Sequence, residues 1–214
     1  WLIVMLARLF FPVKFDGWQV ALFVKGRAGS GKSTMAQIVR FFYPEKAIST
    51  LTANIERQFG LEGIYQGLIC ICAEVREKFQ LDQGDFQSAV SGEEVQIARK
   101  NQTPLPHKWV TPFFLLGNEV FDYSNNSGSI DRRIFMIQFD HKVQRSDPKL
   151  FEKFLKNIDF FHRKGVALYH QMLRKHGDRD IWEPGVVGKQ IIAWKNAVRI
   201  STDGLFAFIN DTNV

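Results

Sequence analysis

Apolar positions along the chain fall into short strand-like runs separated by helical stripes. Trp18 to Lys25 (WQVALFVK) is a β-rich apolar run. Lys32 to Phe42 comes next, with Met35, Ile38, Val39 and Phe42 on one helical face. After Pro44, Ala47 to Leu51 predicts a short strand and Asn54 to Phe59 a helix, and Gly60 and Gly63 punctuate the stretch beyond it. Leu68 to Val75 (LICICAEV) is continuously apolar, as a strand buried on both faces of a parallel sheet would be. Leu81 to Ile97 predicts a helix, a turn at Ser91-Gly92 and a strand. Pro112 to Glu119 (PFFLLGNE) and Ile134 to Phe139 (IFMIQF) are further strands, separated by the polar loop Asp122 to Ser129. From Asp147 the spacing is helical, with Leu150, Phe154, Leu155, Ile158 and Phe161 as core positions. A loop at Gly185 to Gly188 precedes helices over Ile191–Val198 and Gly204–Ile209. The fold class expected is α/β: a parallel sheet flanked by helices, with a small helical C-terminal part. The divisions expected are 1–16 as the end of an upstream helical segment, 17–146 as the core and 147–214 as the C-terminal part.

The run from Gly26 to Thr34 (GRAGSGKST) fits the phosphate-loop pattern G-x-x-x-x-G-K-[ST] at Gly26, Gly31, Lys32 and Ser33. A strand before it and a helix after it are the context that the motif requires. Its glycines, Gly29 included, permit positive φ and remove side chains that would block phosphate oxygens. The backbone of Gly26, Arg27, Ala28, Gly29, Ser30, Gly31, Lys32, Ser33 and Thr34 is thus the candidate triphosphate cradle. Lys32 supplies a point charge, the Ser33 hydroxyl a ligand for Mg²⁺, and the helix start its positive dipole end.

Four further features bear on chemistry. Glu74 ends an apolar strand, where ligands gather in open α/β sheets, and an acid there can hold water around Mg²⁺ and polarise an attacking water. The plainer reading is a helix cap or a pair with Arg76; Glu77 is a weaker second candidate. Arg99, Lys100, His107 and Lys108 flank a proline-interrupted tip of a β-hairpin, either an ordinary charged turn or a set of phosphate contacts that read no bases. Asn118, closing the Pro112–Glu119 strand, can hydrogen-bond a γ-phosphate or a water, or simply suit a turn. Arg132 and Arg133 are surface charge or an arginine finger. His162, His170 and His176 lack ligand spacing.

Composition adds little. Of 214 residues, 45% are hydrophobic, enough for one sizeable α/β core. The net charge of +6 weakly favours an acidic partner such as nucleic acid. Cys70 and Cys72 sit in an apolar run and read as small buried hydrophobes in a reducing compartment, not as a disulfide or metal site. The opening stretch WLIVMLARLFF is too short to span a bilayer and carries Arg8. A signal peptide would fit its hydropathy, but no small-residue cleavage pattern comes after it, and it reads as a core helix cut from a longer polypeptide.

Phosphate loop, acid-ended strand, basic hairpin, strand ending in Asn, then Arg-Arg before a strand: in this order the parts resemble superfamily 3 helicases, AAA+-type replicative motors of DNA viruses and some plasmids. The phrases SGEEVQIARKNQTP and LLGNEVFDYSNNSGSIDRRI are most similar to the primase-helicases of poxviruses and giant viruses. The likeness spans roughly Asp16 to Asp140. It implies a P-loop NTPase fold of AAA+ type, with ATP and Mg²⁺ bound by the loop from Gly26 to Thr34 and by Glu74. Many relatives have two adjacent acids where this chain has Ala73-Glu74. It implies Lys100 as the basic residue of a DNA-tracking hairpin, with Asn101 where some relatives have His. Asn118 would be the polar sensor, and Arg133, with Arg132, the arginine supplied to the next subunit's nucleotide. Hexameric rings moving on single-stranded or forked DNA, usually 3′ to 5′, an intracellular setting in the host cytoplasm (a viral replication site) or the nucleus, and a primase domain on a longer chain complete the implication.

Two other classes compete. A small-molecule or nucleoside kinase shares the phosphate loop but leaves the basic hairpin idle, and single-stranded DNA would not alter its rate. A nucleotide-switched DNA-loading or packaging module would bind DNA and oligomerise without unwinding a fork.

Overall fold

The computed structural model describes residues 1–51, 59–75, 79, 81–121, 123 and 128–211. The helix expected over Asn54–Phe59 (all but its last residue), the acid Glu77 and most of the polar loop Asp122–Ser129 lie outside them. In chain order the elements are α1 (Leu2–Arg8), β1 (Ala21–Gly26), α2 (Lys32–Arg40), β2 (Ile48–Ser49), β3 (Ile69–Val75), α3 (Gln83–Val90), β4 (Glu94–Arg99), β5 (Gln102–Lys108), β6 (Phe113–Gly117), β7 (Ile134–Phe139), α4 (Leu150–Leu155), α5 (Ile158–His176), α6 (Lys189–Thr202) and α7 (Gly204–Asp211).

Five strands form one parallel sheet in the order β2-β3-β6-β1-β7, and β4 pairs with β5 in a separate antiparallel ribbon. The central strands are apolar along most of their length because both faces are covered, with Lys25 of β1 and Glu74 of β3 near their C-terminal ends. Alternate residues of β1 divide between two cores. Leu22 and Val24 join α1, α2 and α5 residues such as Met5, Val39 and Tyr169. Ala21 and Phe23 join Phe86 of α3, Val95 and Ile97 of the ribbon and Val198 of α6. Cys70 and Cys72 are buried in the second of these cores as free thiols, their Sγ atoms 3.8 Å apart. The neighbouring sulfur and burial push the Cys70 thiol pKa well up.

The first and last parts of the chain share a face of the sheet. Arg8 of α1 donates to Asp16 at 2.6 and 2.9 Å and to the carbonyls of Val13 and Val20, and the Tyr169 hydroxyl of α5 donates to Asp16 at 2.6 Å. Both charges are buried, so removing either partner strands the other, at a cost of about 3–5 kcal/mol. This network fixes the entry into β1 and hence the loop at its far end.

One expectation fails in the C-terminal helices. Leu150, Leu155 and Phe161 are exposed, not core, while the buried positions of α5 are Gly165, Tyr169 and His176. The early residues of this region pack their rings on one another and on the end of α2: Phe154 stacks on Phe161 and meets Phe42 edge-on, and Phe151 meets Phe41.

Candidate functional site: the cavity at the end of β1

The chain leaves β1 through a loop that only glycine permits at its key points. A methyl group at Gly26 would lie 2.7 Å from the Phe139 carbonyl oxygen and from Ser30 Oγ, and Gly29 and Gly31 have φ of +76° and +94°. Gly31 caps α2, whose N-terminus therefore opens onto the loop. The Lys32 ammonium curls back over the loop, donating to the carbonyls of Gly26 and Arg27 at 2.6 and 2.8 Å. Its third donor reaches Asn118 Oδ1 at 2.9 Å. Partial desolvation lowers the Lys32 pKa from the usual lysine value.

Asn118 stands just beyond β6, the strand next to β1. Glu74 comes from β3, one strand further out. The register of β3 against β6 runs Cys70↔Phe113, Ile71↔Phe114, Cys72↔Leu115 and then jumps to Val75↔Gly117. One extra residue is thus inserted at Ala73–Glu74. The bulge interrupts the buried run, exposing both residues and turning Glu74 towards the loop. Sequence pattern gives no sign of it, since LICICAEV reads as an unbroken strand.

Ala28, Gly29, Gly31, Lys32, Ser33, Thr34, Ala73, Glu74 and Asn118 line one cavity of about 630 Å³, with Val143, Gln144 and Ser146. The loop residues, Glu74 and Asn118 are those that the sequence selects; Val143, Gln144 and Ser146 are not among them. These three belong to the polar segment after β7, whose Val143 N–H donates to the Gly29 carbonyl at 2.9 Å. Glycines at positive φ, an ammonium, a hydroxyl at a helix start and one carboxylate are the donor set for a triphosphate with Mg²⁺. Among the described residues no cluster of three or more His, Cys, Asp or Glu could hold a metal alone.

The arginines lie elsewhere. β7 runs parallel to β1 with Ala21 opposite Ile134 and Gly26 opposite Phe139. Arg132 and Arg133, just before β7, are therefore about 20 Å from the loop of their own chain. They line a different cavity, of about 770 Å³, with Lys14, Arg179 and Trp182. The two differ sharply. Arg133 is buried and donates to the carbonyls of Ser129 (2.9 Å) and Gln87 (3.3 Å). Desolvation, and then the neighbouring Arg132, lower its pKa. Arg132 is exposed, its carbonyl taken by Trp182 Nε1 at 2.7 Å. Of the pair, Arg132 is the side chain presented outward.

The hairpin forms, but its tip is shorter than expected. Arg99 pairs with Gln102, leaving Lys100 and Asn101 as the turn, with Asn101 at φ +58°. Asparagine tolerates that conformation better than most residues. The prolines do not interrupt the tip. Pro104 and Pro106 lie inside β5, tolerated because among the described residues β5 pairs only with β4. His107 and Lys108 pair with Val95 and Glu94 at the base, well away from the tip. The His107 ring packs edge-on to Tyr65 and Trp109. Arg99 folds its guanidinium onto the Thr103 carbonyl, so Lys100 is the tip cation that projects.

Residues 24–133, from the end of β1 to the paired arginines, match a protein family described as a family of unknown function, DUF5906. The chain belongs to this family. Among solved structures, the C-terminal region of NrS-1 aligns over 91% of this chain and 46% of its own, at 21% identity and a TM-score of 0.56. A second structure of that region, residues 305–718, aligns over 94% of this chain and 46% of its own at 20% identity and a TM-score of 0.57. These show a shared fold, and the chain spans about half the length of those structures. The JCV helicase aligns over 92% of this chain and 60% of its own, at 13% identity and a TM-score of 0.40. Among the described residues no helix is long and apolar enough to cross a membrane.

Proposed function

We propose that this member of the DUF5906 family is the ATPase core of a superfamily 3-type DNA helicase, hydrolysing ATP between subunits of a hexameric ring and moving along single-stranded DNA to open a fork. The observation that carries the reading is the gathering of Lys32, Glu74 and Asn118, from three strand ends, around one cavity.

In this reading Lys32 leaves the loop carbonyls and meets the outer phosphates, and backbone N–H groups of the loop take the inner ones. Ser33 and Glu74 would hold Mg²⁺, which supplies charge neutralisation at the phosphates. Glu74 accepts a proton from the attacking water, and Asn118 orients that water or the γ-phosphate. The positive charge needed as the γ-phosphoryl leaves cannot come from the same chain's Arg132, which lies at the opposite end of the neighbouring strand. A neighbour's Arg132 can supply it, with Arg133 bracing the segment that carries it. Loss of the γ-phosphate then weakens the seam, and the Lys100 tip, contacting DNA phosphates, shifts with it.

ATPase rate against protein concentration, with and without single-stranded DNA, tests this. A rise steeper than linear, further stimulated by DNA, supports composite sites on a DNA motor. A strictly linear rise indifferent to DNA points to a self-contained NTPase such as a kinase.

A further inference from the structure

The phosphate cavity has a third wall that neither the motif nor the proposed chemistry uses. Strand order gives it a meaning. In β2-β3-β6-β1-β7, Asn118 and Glu74 lie on one side of β1, and the segment after β7 lies on the other. A triphosphate laid over the loop has its γ end towards Asn118 and Glu74. Its α end, and the ribose and base beyond, must then point to the β7 side. There the cavity is lined by Val143, Gln144 and Ser146, next to Thr34 of α2.

The segment is tied to the loop rather than merely near it. Val143 N–H donates to the Gly29 carbonyl at 2.9 Å. A methyl group on Gly29 would sit 3.6 Å from Lys142 Cγ, and one on Gly31 4.0 Å from a Val143 methyl. Within the polar run Asp140-His141-Lys142-Val143-Gln144-Arg145-Ser146, Val143 is the one aliphatic side chain. It is 51% exposed, so core packing does not account for it. An aliphatic side chain at a cavity wall can cover one face of a flat base. The neighbouring Gln144 side-chain amide can accept from the amino group of adenine through its carbonyl oxygen and donate to the adjacent ring nitrogen through its NH2 group. Guanine presents two acceptors on the corresponding edge, which suit an arginine. Arg145 does not line the cavity.

We propose that Val143 and Gln144 form the nucleobase seat of this site, Val143 against the face of the base and Gln144 on its edge, and that Gln144 makes the site prefer adenine to guanine. The inference rests on reading the cavity as a nucleoside triphosphate site.

The test is calorimetric titration of the full chain with Mg²⁺ and three probes: ATP, GTP and inorganic tripolyphosphate, which has the phosphates and no base. Gln144→Ala should weaken ATP about five- to tenfold, the worth of one or two hydrogen bonds, and bring ATP and GTP to similar affinity. Val143→Ser should weaken both nucleotides. Tripolyphosphate binding should stay within about twofold in both variants, which also shows that the loop is intact. Unchanged ATP affinity and ATP:GTP ratio would overturn the nucleobase seat, as would an equal loss for tripolyphosphate. Lys32→Ala distinguishes failure of the seat from failure of the triphosphate site. If wild type binds ATP and Lys32→Ala does not, while Gln144→Ala and Val143→Ser change nothing, only the seat fails. If wild type binds no ATP, or Lys32→Ala binds it normally, the triphosphate reading fails and the seat falls with it.

Discussion

Lys32 Nζ lies 2.9 Å from Asn118 Oδ1, though 86 residues separate them in the chain. The bond joins the loop after β1 to the exit from β6. It also occupies the lysine, which holds the loop carbonyls of Gly26 and Arg27 at the same time. Binding a triphosphate must therefore exchange three protein contacts for phosphate contacts, so the two residues should respond differently to removal. Lys32→Ala is expected to abolish ATP binding by calorimetry. Asn118→Ala is expected to keep binding within a few-fold and to lower kcat about 100-fold, as removal of one catalytic hydrogen bond does.

Glu74 is the acid that lines the cavity, and the bulge at Ala73–Glu74 is what aims it. Glu74→Gln keeps the shape and removes the charge. It should retain ATP binding yet lose hydrolysis by about 100-fold or more, the scale of a lost general base. Single-turnover assays with radiolabelled ATP check this. Persistence of full activity would move the general base elsewhere.

Arg132 and Arg133 are adjacent but should fail in different ways. Arg132→Ala should leave thermal stability and ATP binding unchanged and remove most hydrolysis. Arg133→Ala breaks the bonds to the carbonyls of Ser129 and Gln87, and should destabilise by about 1–3 kcal/mol in urea unfolding.

At the hairpin, Lys100→Ala should preserve basal ATPase and lose both DNA stimulation and unwinding of a forked substrate. His107→Ala should affect folding more than DNA contact, because its ring lies between Tyr65 and Trp109.

His176 gives a pH dependence with a definite sign. It is buried at the end of α5, its Nδ1 has no hydrogen-bond partner among the described residues, and desolvation, followed by Lys175 and Arg179, lowers its pKa. Folding therefore favours the neutral ring. The contribution is fully present above the unfolded value of about 6.5 and is lost as pH falls through the depressed folded value. Urea midpoints should drop as pH falls through this range. His176→Leu should flatten that part of the profile.

Much of this was legible in the sequence because local rules and tertiary demands agree there. The strands at Leu68–Val75, Pro112–Glu119 and Ile134–Phe139 are apolar on both faces, and a run of that kind has few options besides a covered parallel strand. Gly26 and Gly31 identify their loop by steric need, and Lys32 by its charge. The features that were not legible depend on distant partners. Register creates the bulge that turns Glu74. The commitment of Arg133 and the freedom of Arg132 depend on which carbonyls lie nearby, which no spacing reveals. Pro104 and Pro106 look like loop residues until β5 is known to lack a second neighbour. Val143 and Gln144 carry no motif, and only the strand order brings them to the cavity. Leu150, Leu155 and Phe161 have core spacing, yet each stays well exposed among the described elements.

Mixing two variants, each expected to be inactive, tests the proposed seam between copies most directly. Lys32→Ala lacks the loop lysine but retains Arg132; Arg132→Ala retains the loop lysine but lacks the arginine. When the two are mixed in the presence of single-stranded DNA, some seams combine an intact Lys32 with an intact Arg132. ATPase activity well above that of either variant alone is the predicted result. Activity in the mixture no higher than the average of the two would contradict a site built from two copies.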